Sequence, residues 1–330
     1  MDEVRSALMD QFGGLSDMLY DMACDMERER RYDFDAAGRV DTALRAIGVY
    51  PTDVGCALDG NGRMSVEIRV ATGGGTRFNR MDLLRAVSAA CERPFDPPCL
   101  QQTYGCALIT LSEKALLQLD VGLFRLAMGE GRFCGDAGAD FLDGRGKHWL
   151  ILCDGMGAGG RAAVDATMAS ALMERLLKAG FGPDCALKLA NAAMRCKSTE
   201  ESLSTVDLCA VDRFSGRVEL YKAGACPTVI LRSGRTARAE CASLPAGIVG
   251  QVGFDSAAVQ LKAGDIVVMM SDGATTEGTD WICAELEAWK GKGSARQLAE
   301  HLARAARRRR SDGRDDDVTV LAAVLEKAVD

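Results

Sequence analysis

The sequence predicts an α+β protein: antiparallel sheets covered by helices over residues 115–330, a small α/β unit over 34–114, and an amphipathic helix over 1–33. Three observations predict it. Strand-length apolar runs follow one another in meanders, with turns such as Phe214-Ser215-Gly216 and Ser233-Gly234 between them. Helical segments come in pairs, whereas a doubly wound parallel sheet would alternate strands and helices one by one. A chain of 330 residues with 48% hydrophobic content can bury a sizeable core, enough for one large domain and something smaller.

The elements follow in order. Val4, Leu8, Phe12, Leu15, Leu19, Met22 and Met26 form a helical stripe, widened by Met18 and interrupted at Gly13-Gly14. Such a stripe docks on its own domain or packs against a partner, and methionine suits either. Residues 35–47 have a helical pattern. Residues 53–58 and 64–70 alternate as strands around Asp59-Gly60-Asn61-Gly62, a hairpin turn. Residues 80–91 are helical, Pro94 to Pro98 break the pattern, and 106–111 form a strand. This unit shows no catalytic constellation and reads as a binding or regulatory module. Beyond it, 116–126 and 149–153 read as strands, and 161–179 and 183–197 as helices. Strands follow at 205–211, 217–223, 228–232, 235–241, 257–261 and 266–270. Helices at 279–290 and 295–310 precede a last strand at 318–324.

Bulk properties exclude several classes. A net charge of −7 argues against general nucleic-acid binding. Thirteen scattered cysteines without a Cys-x-x-Cys pair read as reduced core residues rather than disulfides or zinc ligands. No run reaches the ~18–20 apolar residues that cross a bilayer. Asp2, Glu3 and Arg5 do not suit a signal peptide. The expected location is cytoplasmic.

Three aspartates carry the chemistry. Asp154 opens the run Asp154-Gly155-Met156-Gly157-Ala158-Gly159-Gly160, Asp272 sits in Ser271-Asp272-Gly273, and Asp316 in Asp315-Asp316-Asp317-Val318. The first two end buried apolar runs and the third precedes one. A carboxylate there is costly unless something pairs with it. A shared hard cation, Mg²⁺ or Mn²⁺, suits three such groups. Asp154 can bridge two ions, and the Gly155 carbonyl can approach one because no side chain blocks it. The following helix start favours an anion, and Arg161 is placed for a phosphate contact. The glycine loop also satisfies the dinucleotide-binding pattern. Against that reading, Asp154 would repel a pyrophosphate unless a metal intervened. The acidic residue expected ~20 positions on, at the end of a second strand, is also missing.

The ordered set Cys134-Gly135-Asp136, Asp154-Gly155-Met156-Gly157, Ser204-Thr205-Val206-Asp207-Leu208, Leu244-Pro245-Ala246-Gly247-Ile248, Ser271-Asp272-Gly273 and Asp315 to Val320 resembles the PP2C-like (PPM) metal-dependent serine phosphatases. Within them it is similar to the stage II sporulation protein E group. The resemblance implies a PP2C-like α/β/β/α sandwich of two antiparallel sheets flanked by helices, with two Mn²⁺ or Mg²⁺ ions at one edge. It implies that Asp154 bridges the ions, that Asp272 and Asp316 complete one shell, and that Asp136 and the Gly155 carbonyl serve the other. Asp317 stands where many relatives carry asparagine. Met156 stands where many eukaryotic members carry a candidate acid histidine, and neither His148 nor His301 reads as its replacement.

The implied substrate is a phosphorylated anti-anti-sigma factor, whose dephosphorylation activates a sporulation sigma factor by partner switching. Relatives are tethered to the membrane by N-terminal spans absent from this sequence, and the N-terminal helix could pair two chains. The basic run 307–310 reads as a solvated helix face answering Asp312 and Asp315 to Asp317. Two alternatives stand beside this reading: a binding module with an inactive phosphatase-like domain, and a dinucleotide-binding oxidoreductase.

Overall fold

The computed structural model describes residues 31–60, 62–71, 79–103, 105–127, 133–143, 146–157, 159–197, 203–240, 242–247, 253–289, 291, 293–309 and 316–328. The helical stripe from Val4 to Met26 lies outside them, as do Asn61 of the hairpin turn and Ile248 and Asp315 of the quoted motifs. The chain divides into two compact units, Met1–Ala115 and Leu116–Asp330.

The first unit contains β1 (Arg31–Tyr32), α1 (Phe34–Ala46), β2 (Asp53–Leu58), β3 (Met64–Ala71), α2 (Arg80–Cys91), β4 (Cys99–Thr103) and β5 (Cys106–Ser112). Its antiparallel sheet runs β1-β2-β3-β5-β4. Both helices begin at side-chain caps: Asp33 accepts from the Ala36 N–H (2.9 Å) and Asn79 from the Met81 N–H (2.9 Å). One face of the sheet is buried, so β3 alternates, with Val66 and Ile68 packing in one cluster with Val40, Leu44, Leu83 and Val87. The sequence predicts helix as far as residue 33. Instead Arg31 and Tyr32 pair with Leu58 and Ala57, and Asp33 caps α1. β4 is legible only from its pairing with β5, because Pro97-Pro98 precede it and two glutamines fill it.

The second unit contains β6 (Leu117–Leu126), β7 (Asp136–Leu142), β8 (Lys147–Asp154), α3 (Gly160–Lys178), α4 (Pro183–Lys197), β9 (Val206–Asp212), β10 (Arg217–Ala223), β11 (Thr228–Arg232), β12 (Arg235–Ala239), β13 (Asp255–Gln260), β14 (Ile266–Met270), α5 (Asp272–Thr275), α6 (Asp280–Trp289), α7 (Ala295–Arg309) and β15 (Val318–Lys327). One sheet runs β13-β10-β9-β8-β7 and the other β12-β11-β14-β15-β6. Every pairing between strands among the described residues is antiparallel, which removes the dinucleotide-binding architecture.

The central strands read as unbroken apolar runs because both of their faces are buried. Trp149, Ile151 and Cys153 of β8 face a core shared with Ala166, Met173 and Leu187 of α3 and α4. The intervening Leu150 and Leu152 face an inter-sheet core with Val267, Met269 and Leu321. Ile266, Val268 and Met270 in turn face Leu298, Leu302 and Ala306 of α7. Four layers result, helices, sheet, sheet and helices, as the resemblance implies. β7 carries few large apolar residues and was legible only as a motif; its pairing with β8 makes it a strand.

α7 lies hard against β6. A Cβ on Gly122 would come 2.1 Å from the Arg296 backbone nitrogen and 2.3 Å from the Ala295 carbonyl carbon. Asp120 Oδ2 also accepts from the Ala295 N–H at 2.7 Å. Gly122→Ala is therefore expected to destabilise the second unit by about 1–3 kcal/mol in urea unfolding. Gly38→Ala is the contrasting case: mid-helix in α1 with nothing within 4 Å, it should stabilise the first unit by about 0.5–1 kcal/mol.

Candidate active site

Two strand ends and two loops bring the predicted carboxylates to one edge of the sandwich. Asp154 is the last residue of β8 and pairs across the ladder with Asp136, the first residue of β7. Its backbone is clamped on both sides. The Asp154 N–H donates to Thr205 Oγ1 (3.0 Å), and its carbonyl accepts from the Thr205 N–H (2.8 Å) and Ser204 Oγ (3.1 Å). The Gly155 N–H donates to the Gly135 carbonyl (3.1 Å). From the other sheet, β14 ends at Met270 and Ser271 caps α5, whose first residue is Asp272. Ser271 Oγ accepts from the Thr319 N–H of β15 (2.9 Å), which fixes β14 against the strand that Asp316 and Asp317 precede. A cleft of about 340 Å³ opens there, lined by Asp154, Gly155, Asp272 and Asp316. Thr205, Asp207 and Cys226 form its wall.

The chain turns tightly after Asp154. A Cβ on Gly155 would fall 2.0 Å from the Ala162 carbonyl oxygen, so only glycine lets α3 approach this closely.

The site is electrostatically uncompensated by protein alone. Asp136 is 2% exposed, and its Oδ2 has no hydrogen-bond partner. Burial raises its carboxyl above the ordinary range, against hydrogen bonds from Thr319 and Ser271 that lower it. Burial, and then the charges of Asp136 and Asp272, push Asp154 up to about 9. Three carboxylates thus press on one another through Asp154, and one buried oxygen of Asp136 is orphaned. Oxygen donors of this kind fit a hard divalent cation. The approach is pairwise, Asp136 to Asp154 and Asp154 to Asp272. Among the described residues no three acidic, His or Cys side chains form a closed cluster.

The other predicted residues sit as follows. Asp316 is exposed at the cleft, and its Oδ1 accepts from the Asp317 N–H (2.9 Å). Asp317 turns inward, its Oδ2 accepting from the Gly135 N–H. Arg161 is the second residue of α3, exposed and outside the cleft lining. His148 contacts Asp140 and His301 contacts Glu285, each at 2.9 Å, and neither lines the cleft. Arg307 donates to the Ala127 carbonyl (2.8 Å) and Arg309 to Glu285 (3.2 Å); Arg310 lies outside the described residues. Sequence reasoning missed the Ser204–Thr205 clamp and a buried Lys222–Asp207 pair in the cleft wall. The available signal was a lysine on the face of β10 that otherwise carries Val218 and Leu220.

The family model described as Stage II sporulation protein E (SpoIIE) matches residues 144–326, more than half of the chain. The chain is 25% identical to the stage II sporulation protein E of Bacillus subtilis (strain 168), over 97% of this chain and 40% of that protein. It is 24% identical to the Priestia megaterium protein of the same name, over 99% of this chain and 57% of that protein. The chain therefore spans roughly half the length of these relatives. A solved structure of the PP2C phosphatase domain and a regulatory-domain fragment of SpoIIE from B. subtilis shares its fold. The TM-score is 0.70 and the identity 22%, covering 100% of this chain and 98% of that one.

Proposed function

The chain belongs to the stage II sporulation protein E family, and from that premise we propose that it is a metal-dependent protein serine phosphatase. The observation that carries this is the convergence of Asp154 and Asp272 from the two sheets on one cleft, with the buried Asp136 against Asp154 and beside a glycine that no other residue can replace.

Asp136, Asp154, Asp272, Asp316 and the Gly155 carbonyl are the residues that would hold two Mn²⁺ or Mg²⁺ ions. Such ions supply an activated water and charge neutralisation for in-line attack on phosphorus. The protein's own part is placement. The Thr205–Ser204 clamp fixes Asp154 by its backbone, so its carboxyl is engaged by Asp136 and Asp272 rather than by the clamp. The Ser271–Thr319 bond holds Asp272 in register with Asp316. Arg161, exposed at the start of α3 and outside the cleft lining, is proposed to steer the phosphate toward the cleft by its charge rather than by contact within it.

The proposed substrate is a phosphoserine on an anti-anti-sigma factor, read from family membership. The test is hydrolysis of that phosphoprotein and of p-nitrophenyl phosphate with Mn²⁺ titrated. Activity should appear with metal, vanish with chelator and be lost in Asp272→Asn. Near-wild-type turnover by that variant at saturating Mn²⁺ would overturn the assignment.

The first unit is proposed to regulate the second, together with the stripe preceding it. No helix among the described residues is long and apolar enough to cross a membrane. A displacement of α3, which starts at the Gly155 loop, would move Asp154 relative to Asp272. Removing residues 1–115 should therefore change the Mn²⁺ requirement or the concentration dependence of activity. Identical profiles with and without them would dispose of this role.

A further inference from the structure

Lys222 is the bulkiest fully buried side chain among the described residues. It stands on β10 directly across from Asp207 on β9. Its Nζ donates to Asp207 Oδ2 (2.7 Å) and to the Cys226 carbonyl (2.6 Å). Thr228 Oγ1, from β11 in the other sheet, donates to the same Asp207 oxygen at 3.4 Å. Asp207 Oδ1 is buried with no partner. Alternation places both charged residues on the face that carries Cys209, Val211, Val218 and Leu220, which is the inter-sheet face. They lie at the end where the cleft opens, since Asp207 and Cys226 line it.

Stability does not account for such a pair. A buried ion pair can often be replaced by apolar residues of similar volume without loss, and this one leaves an oxygen unsatisfied. Its geometry does account for it. The pair joins β9, whose neighbouring Thr205 clamps Asp154, to the 224–226 wall, and through Thr228 to the sheet that carries Asp272. The rest of that wall is held by packing and one weak bond. Gly224 sits at φ +66 against the Pro245 ring, where a Cβ would come within 2.5 Å. Ala225 and Cys226 are only half-buried.

We propose that the Lys222–Asp207 pair positions the cleft, fixing the 224–226 wall and the spacing of the two sheet edges that carry Asp154 and Asp272. This deepens the phosphatase reading, but its decisive measurement needs neither metal nor turnover. Cys226 is the reporter: its thiol is partly covered and accepts from Thr275 Oγ1 (3.5 Å).

The double variant Asp207→Leu/Lys222→Met should keep the wild-type unfolding midpoint. In the metal-free full chain, iodoacetamide should then alkylate Cys226 at least ~10-fold faster than in wild type. The fully buried Cys153 and Cys209, followed by peptide mass spectrometry, should stay protected. Wild-type Cys226 reactivity in the folded double variant overturns the proposal. If the double variant fails to fold, Lys222→Arg decides, since it keeps the charge and changes the reach. Faster Cys226 alkylation there supports the proposal, whereas an unchanged rate, or failure of this variant to fold as well, overturns it. With Mn²⁺ present, Lys222→Arg should lower kcat by ~10-fold or more and raise the Mn²⁺ half-saturation, because the edges that carry Asp154 and Asp272 lose their spacing. An inactive wild-type chain would remove the phosphatase reading and leave the alkylation result to decide the positioning role.

Discussion

Asp154→Asn is expected to lower metal-dependent turnover by at least ~10²–10³-fold while making the metal-free protein more stable at alkaline pH. Both effects have one cause. The Asp154 carboxyl is buried between Asp136 and Asp272 and is pushed up to about 9. Its ordinary value in the unfolded chain is about 3.8. Between these values the folded state holds a proton that the unfolded state has released. The contribution of Asp154 to the stability of the metal-free wild type is therefore fully present below the unfolded value and is lost as pH rises through about 9. An amide has no proton to lose, so the variant should show a flatter profile across that window. The backbone bonds to Thr205 and Ser204 do not involve the side chain and survive the change. Thermal midpoints with chelator at several pH values, together with turnover at saturating Mn²⁺, check the prediction. A variant that hydrolyses like wild type, or that loses stability with pH as steeply, contradicts it.

Gly155→Ala should be nearly as damaging, by a steric route. The added methyl would lie 2.0, 2.7 and 2.9 Å from the Ala162 carbonyl oxygen, carbonyl carbon and Cα, all backbone atoms that cannot rotate away. Either the loop or the first turn of α3 must move. A shift of ~1 Å beside Asp154 is enough to cost about 10²-fold in turnover. Folding should survive at a cost of about 1–3 kcal/mol. Gly157 and Gly159 have open space around the added atom and only their positive φ values, 106° and 79°, to oppose it. Alanine at either should cost about 1 kcal/mol and far less turnover. Equal losses at all three positions would show that loop conformation, not the approach of α3, sets the sensitivity.

Much of this architecture was legible because strands buried on both faces announce themselves. β14 needs no alternation to be recognised, since Ile266 to Met270 are apolar without a break. The three aspartates stood out for the same reason, each a charge at the border of such a run. Strands that lean on their neighbours were not legible. β4 and β7 are short of large apolar residues and exist through pairing with β5 and β8. The clamp on Asp154 was illegible for a different reason. Thr205 and Ser204 are about fifty positions away, and nothing local in a Ser-Thr dipeptide tells which backbone its hydroxyls will meet. The inward turn of Asp317 to the Gly135 N–H, beside an exposed Asp316, likewise depends on how β15 docks rather than on the acidic run itself.

The position of β15 has a consequence for how the protein is made. It is the last strand of the second unit in sequence, yet it lies between β14 and β6, and among the described residues it is the sole strand partner of β6 along its whole length. A nascent chain that has not reached Val318 holds Leu117–Leu126 as a ten-residue strand with an open edge, the kind of surface that recruits other chains. Closure of the sheet and arrival of Asp316 at the cleft are then the same event. A half-synthesised chain has β6 open on both edges and an incomplete site together; the final strand covers one of those edges and completes the site.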